Sequence, residues 1–402
     1  MTNTITTEPS TPTPAAPGRR TPINLRQYGI LAALAVIIVL FQVLTDGRLL
    51  MPGNVNNLIQ QNAYVLILAI GMVIVIIGGH IDLSVGSVVA MVGAVAAIAT
   101  NVWGLPWWQA VIISLVVGAV VGAWQGYWVA FVGVPAFIVT LAGMLIFRGL
   151  TLVFLTGGTI SGLPREFTAI GAGWVPGFLG EVGGRDVITL VLVVAVALAM
   201  VGIQLRARAQ LGALGLPRES AVSFWIKNAI TAFAIIALGW QLSDYQGTPI
   251  ILVILGGLVI IYTFTLNRTV FGRHVYAMGG NLFAAMMSGV KTKWVNFFIF
   301  VNMGVLAALA GVVATARAGG AVASAGQNYE LDAIAAVFIG GAAVQGGVGT
   351  VFGAIVGGLV MGVLNMGLSI LSVDAAWQQT IKGLVLLLAV AFDIFNKRRS
   401  GH

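Results

Sequence analysis

The chain has 402 residues, of which 59% are hydrophobic and only 8% charged, with a formal net charge of +8 and no cysteine. Soluble domains carry about 25% charged residues, so a chain this apolar cannot keep a water-facing surface over a folded core. A soluble enzyme and a nucleic-acid-binding domain are excluded, and the missing thiols rule out disulfides, Cys-bound zinc and iron–sulfur clusters. The expected class is all-α: a polytopic membrane protein with about 10–12 transmembrane helices.

Residues 1–22 are rich in Thr and Pro and read as a disordered tail on the cytoplasmic side. They lack the apolar core and small-residue cleavage site of a signal peptide. The remainder, 23–402, is a single membrane domain. A spanning helix needs about 20 mostly apolar residues. Runs of that kind fall at 28–44, 63–79, 84–100, 108–130, 136–155 and 187–205. They continue at 223–241, 249–266, 294–316, 331–344, 348–371 and 375–395.

The stretch 78–87, GGHIDLSVGS, sets an acid between two of these runs. Interrupted helix at membrane depth is tolerated only where it is buried in protein or lines a cavity. The stretch 340–353, GGAAVQGGVGTVFG, repeats the order of a Gly-Gly pair, an insert, then Val-Gly-Ser/Thr-Val. The two read as equivalent helix breaks in two related halves. Asp82, with Ser84 beside it, has two readings: a group on a translocation pathway, or an acceptor for the amides of Ser84 and Val85 at a helix start. Glu330 and Asp332, in 327–332 (QNYELD), have the same two readings near the second break. Arg148 and Lys382 lie within apolar runs, where pairing with carboxylates across the bundle is expected.

Alternating the runs from a cytoplasmic N-terminus places Arg206, Arg208, Arg218, Arg268, Arg273, Lys291 and Lys293 inside, with the basic ends of the chain. The outside segments hold Arg48, Arg165, Arg185 and Arg317. This excess predicts that both termini are cytoplasmic. Trp103, Trp107 and Trp108 mark an outer membrane boundary. The outer loop 156–186 is long enough either to receive a partner or simply to connect. Gly118, Gly122 and Gly126, and likewise Gly349, Gly353 and Gly357, are four apart and predict close helix contacts.

The inner loop, 267–293, contains FGRHVYAMGGNLFAAMMSGV. Gly279 and Gly280 precede a short helix, Asn281 is a fair N-cap, and Gly289 ends it. Ala284, Ala285 and Ser288 fall on one face, which suits docking against a partner as well as it suits a plain linker. No P-loop, HExxH or GxSxG pattern is present, so ATP-driven work would need an ATPase on another chain.

Four segments together resemble a known family: 78–87, VPAFIVTLAGMLIFRG at 134–149, GRHVYAMGGN at 272–281 and GQNYELDAIAAVFIGGAAVQGGVGT at 326–350. In order and spacing they are similar to permease subunits of bacterial monosaccharide ABC importers, the ribose, arabinose, galactose and xylose group. The added length at 206–247 and segments such as TDGRLLMPGNVNNLI at 45–59 resemble the xylose-type members. The resemblance implies a multi-pass permease of the bacterial inner membrane that carries D-xylose and works as a pair of copies. A periplasmic sugar-binding protein and cytoplasmic ATPase subunits would complete the complex. The permease itself would hold no cofactor and no metal; ATP and Mg would be bound by the ATPase. It also implies a coupling helix at Gly279, Gly280, Asn281, Ala284, Ala285, Ser288 and Gly289, and a pathway flanked by Asp82, Ser84, Glu330 and Asp332. Phe283 and Met286 depart from the acidic and basic residues usual in that helix. A secondary, ion-coupled transporter is the alternative reading; its usual density of intramembrane acids is missing here.

Overall fold

The computed structural model describes residues 25–156 and 158–400, so the expected tail at 1–22 lies outside the described residues. The chain begins with α1 (Leu25–Leu44) and α2 (Pro52–Ile77). After the first Gly-rich break come α3 (Val85–Ala97) and α4 (Trp107–Tyr127), each prolonged by one wider turn, and α5 (Ala136–Leu155). The outer loop holds β1 (Ile160–Ser161), α6 (Arg165–Ala172), β2 (Glu181–Val182) and β3 (Arg185–Asp186). The long α7 (Val187–Ala213), α8 (Ala221–Ser243) and α9 (Ile250–Arg268) follow. The inner loop folds as α10 (Val270–Gly280) and α11 (Leu282–Met287) before α12 (Thr292–Ala318). The chain closes with β4 (Gly320–Ala321), α13 (Tyr329–Ile339), α14 (Val351–Ile370) and α15 (Ala375–Ser400).

Among the described residues, nine helices are long and apolar enough to cross a membrane. The expected runs at 28–44, 331–344 and 375–395 are not among them: α1 offers only the shorter apolar Gly29–Leu44, and α13 has 11 residues and rises only about 16 Å. Helix α13 is a half-length helix that stops at the second break.

Burial separates a centre from a rim. The apolar stretch of α2 is 89% buried within the protein, whereas that of α8 is 11% buried. Between apolar helices in lipid, contact depends on close backbone approach rather than on escape from water. The glycine stripes supply that approach. Methyls at Gly118 and Gly122 would strike the backbone of α12 at Gly304 and Phe300, and Gly126 faces Phe297. Gly357 meets the Ala336 carbonyl, and Gly353 and Gly340 face each other, which joins α13 to α14. Helices α2, α3, α4 and α12 thus form the core, with α13 and α14 against α2.

The outer loop is docked rather than free. Phe167 of α6 is fully buried, Gly171 rests on the backbone of α12 at Val313 and Arg317, and β1 pairs antiparallel with β4. Both outer loops therefore form one structured cover on the side opposite α10 and α11.

Candidate functional site

The two breaks have the same local geometry. Gly78 ends α2 at φ −67°, ψ −4°, and Gly340 ends α13 at φ −67°, ψ −1°. The next residues, Gly79 and Gly341, lie at φ +83° and +86°. His80 N–H then reaches back to the Val75 carbonyl at 3.0 Å, and Ala342 N–H to Val337 at 3.1 Å. This is the glycine-terminated Schellman end, in which a left-handed residue folds the chain back over the last turn. Beyond it the halves differ. The first Val-Gly-Ser-Val forms the opening turn of α3, whereas the second Val-Gly-Thr-Val leads into α14, with Thr350 accepting from Gly353 N–H at 2.9 Å.

The breaks touch each other. The carbonyl of Ile77, left free where α2 stops, accepts the N–H of Gly347 at 2.8 Å. The end of α10 lies against the same point: a methyl at Gly279 would collide with the Ile77 carbonyl and the Gly347 amide, while a methyl at Gly280 would point into open space. Tyr276, one turn earlier, donates its hydroxyl to the Gly349 carbonyl at 2.7 Å. Burial pushes that hydroxyl's pKa up, so it stays a donor. A cavity of about 430 Å³ lies here, with Ile30 and Leu31 among its walls beside Tyr276, Gly340 and Thr350. The first turns of α1 and the loop 267–293 are therefore on one side, called inner below.

Asp82 is 2% exposed. Its Oδ1 accepts from Ser84 N–H at 2.8 Å and from the Ser84 hydroxyl at 2.7 Å. The amide of Val85 takes no part among the described bonds, so the expected two-amide cap is corrected to a turn closed on Ser84 alone. Ser84 in turn accepts from Gln125 Nε2 at 2.6 Å, and Thr140 donates to the Ile81 carbonyl at 3.3 Å. Gln125 and Thr140 escaped the sequence reading because each is one polar residue in a long apolar helix.

Glu330 and Asp332 stand in the first turn of α13, and the N-cap position belongs to Asn328. Neither carboxylate caps the helix. Glu330 lies over Gly86, where a methyl would meet its carboxylate, so it shares the neighbourhood of Asp82. Asp332 is elsewhere: it pairs with Lys382 at 3.3 Å and accepts from Tyr64 at 3.4 Å. The expected pairing holds for Lys382. Arg148 makes no direct ion pair among the described residues: its charge lies near Glu330, but it donates to the carbonyls of Ala323 and Ala325, at 3.1 and 2.6 Å, and so holds the outer loop before α13.

A second cavity, about 420 Å³, opens between the outer halves of α2 and α12 and the start of α13. Its polar walls are Gln60, Gln61, Tyr64, Arg317 and Tyr329. Tyr64 and Tyr329 stack with centroids 3.6 Å apart, and Arg317 donates to Gln60 Oε1 at 2.7 Å. None of these residues stood out in the sequence; the adjacent glutamines at 60 and 61 were the available signal.

At the inner surface, Asn281 caps α11 by accepting from Ala284 N–H at 2.9 Å, and Ser288 donates back to the Ala284 carbonyl at 2.9 Å. Gly289 ends the helix at φ +82°. Two expectations are corrected. Gly279 and Gly280 precede the helix as expected but are themselves helical, as the end of α10, and Ala284, Ala285 and Ser288 do not share a face, since only Ala285 is buried. The outward face is apolar: Phe283 is 69% exposed and Met287 68%, with Leu282 and Met286 beside them.

Residues 54–390 match the family described as branched-chain amino acid transport system / permease component. The xylose transport system permease protein of Haemophilus influenzae is 44% identical over 380 residues, covering 94% of this chain and 98% of that protein. Its namesake from Escherichia coli K12 is 40% identical over 379 residues, covering 94% of both. The ribose import permease protein of Haemophilus influenzae is 33% identical over 344 residues, 85% of this chain and 84% of the relative. No solved structure matches. A bundle of apolar helices with two glycine-ended breaks, matched along nearly its whole length by transport permeases, places this chain in the branched-chain amino acid transport system / permease component family, as a multi-pass membrane permease and not an enzyme.

Proposed function

We propose that this chain is the transmembrane subunit of an ATP-driven importer for a monosaccharide, D-xylose, in the bacterial inner membrane. The observation that carries the reading is the contact of α10 with both breaks at Gly279, which ties an inner-surface element to the two interruptions in the bundle. The names of the relatives support the sugar. Residues 279–289 act as the coupling element, and Phe283, Met286 and Met287 enter an apolar groove of the ATPase. Large exposed apolar patches mark interaction sites. ATP and Mg are bound by the ATPase. The structured outer cover receives the sugar-loaded binding protein. Two copies work together, both termini are cytoplasmic, and the pathway runs past Asp82, Ser84, Glu330 and Asp332. Asp82 shapes the broken helix and takes no part in chemistry.

Phe283→Glu and Met287→Glu place charges on exposed positions, so the fold is kept. Each should abolish co-purification of the ATPase subunit and sugar uptake while membrane levels stay unchanged. Sugar accumulation by vesicles that hold this chain without an ATPase would sink the proposal in favour of ion coupling.

A further inference from the structure

The cavity at Gln60, Gln61, Tyr64, Arg317 and Tyr329 costs the protein something. Gln60, Gln61 and Tyr64 interrupt the apolar helix α2, where polar side chains are expensive and by default mark a pathway or site, and Arg317 and Tyr329 join them from the outer ends of α12 and α13. These five, from three separate helices, converge on one space. Its volume of about 420 Å³ falls within the roughly 300–1,000 Å³ of small-molecule sites.

The chemistry of the walls selects among solutes. Each glutamine amide both donates and accepts, as alternating hydroxyls on a ring require. The tyrosines offer ring surface for the C–H face of a sugar and a hydroxyl at the edge. Arg317 is already engaged by the neutral amide of Gln60. Asp332 pairs with Lys382 and takes the Tyr64 hydroxyl, which leaves Arg317 as a single charged wall, turned towards Gln60. A neutral polyhydroxylated solute fits this set.

Position adds a second argument. The cavity lies on the side opposite α10, and two of its walls are α2 and α13. These are the helices that end at the two breaks, where they meet each other and Gly279. A movement delivered at the inner side would displace both walls together.

We propose that this cavity is a contact site for the monosaccharide during its passage, with Gln61 bonding its hydroxyls and Tyr329 covering one face, while Gln60 is held between Arg317 and the Ala172 carbonyl. The assignment rests on the sugar-importer reading. The test uses the complete transporter, this chain with its ATPase and binding protein, in vesicles in which xylose accumulation and ATP hydrolysis are measured together. Gln61→Ala and Tyr329→Leu should each lower the xylose moved per ATP about fivefold, the loss of roughly one hydrogen bond or packing contact. Tyr329→Phe, which keeps the ring, should retain the wild-type ratio. A wild-type ratio in both Gln61→Ala and Tyr329→Leu overturns the assignment. Gln61 is exposed, so it decides the question if Tyr329→Leu fails to assemble. A wild-type complex that accumulates no xylose at all overturns the importer reading itself, and the assignment with it.

Discussion

Gly279 shows how much can rest on a missing methyl. The neighbouring Gly280 looks equivalent in the sequence, yet only Gly279 is pressed against the Ile77 carbonyl and the Gly347 amide. Both contacting groups are backbone and cannot rotate away. Gly279→Ala should therefore force α10 off the breaks and abolish transport, while Gly280→Ala should keep near-wild-type uptake. Equal effects of the two changes would show that the contact is unimportant. The pair of glycines was legible beforehand, but as a flank of one helix. At Asp82 the sequence shows an interruption and offers a cap as one of two roles; the bonds from Ser84 instead close a turn ahead of α3, whose N-cap position is Ser84 itself. Arg148 departs as well. A charge inside an apolar run suggests a carboxylate partner, but two loop carbonyls supply its acceptors, and backbone acceptors leave no trace in a sequence.

At the level of elements, the glycine stripe of α4 was visible as a spacing, and its partner was not. A stripe four residues apart defines a face that admits another backbone. Which backbone enters depends on every other helix. In the fold it is α12, with Gly304 and Phe300 at the crossing. Gly122→Val should separate the two helices and cost about 1–3 kcal/mol or more from overpacking, read as a lower midpoint of thermal unfolding in detergent. The same substitution at Gly256 of α9, which has open space around it, should leave the midpoint unchanged. The breaks behaved similarly. The Gly-Gly pairs predicted where α2 and α13 stop, and their matching dihedral angles support the reading of related halves. The downstream Val-Gly-Ser/Thr-Val similarity did not survive as a structural equivalence, because α3 starts at the first valine of its copy, Val85, and α14 only at the last valine of its copy, Val351.

Across the whole molecule, α11 and the outer cover lie on opposite sides of the bundle, and the charge pattern predicts cytoplasm for the first and periplasm for the second. The absence of cysteine makes that directly measurable. Ser288→Cys should react with an impermeant maleimide only after the membrane is opened, and Glu181→Cys should react in intact spheroplasts. The reverse pattern would invert the topology. Composition alone was enough to determine the membrane class, because no arrangement of so few charged residues can cover a soluble core. Local order was equally settled by the chain: apolar runs long enough to span, glycines where helices stop, an asparagine where α11 starts. The tertiary structure alone decided that residues 77, 279 and 347 meet at one point and that Gln60, Arg317 and Tyr329 share one cavity. These contacts join positions far apart in sequence. Local pattern restricts each helix by itself, whereas the meeting points are fixed only when all the helices pack at once.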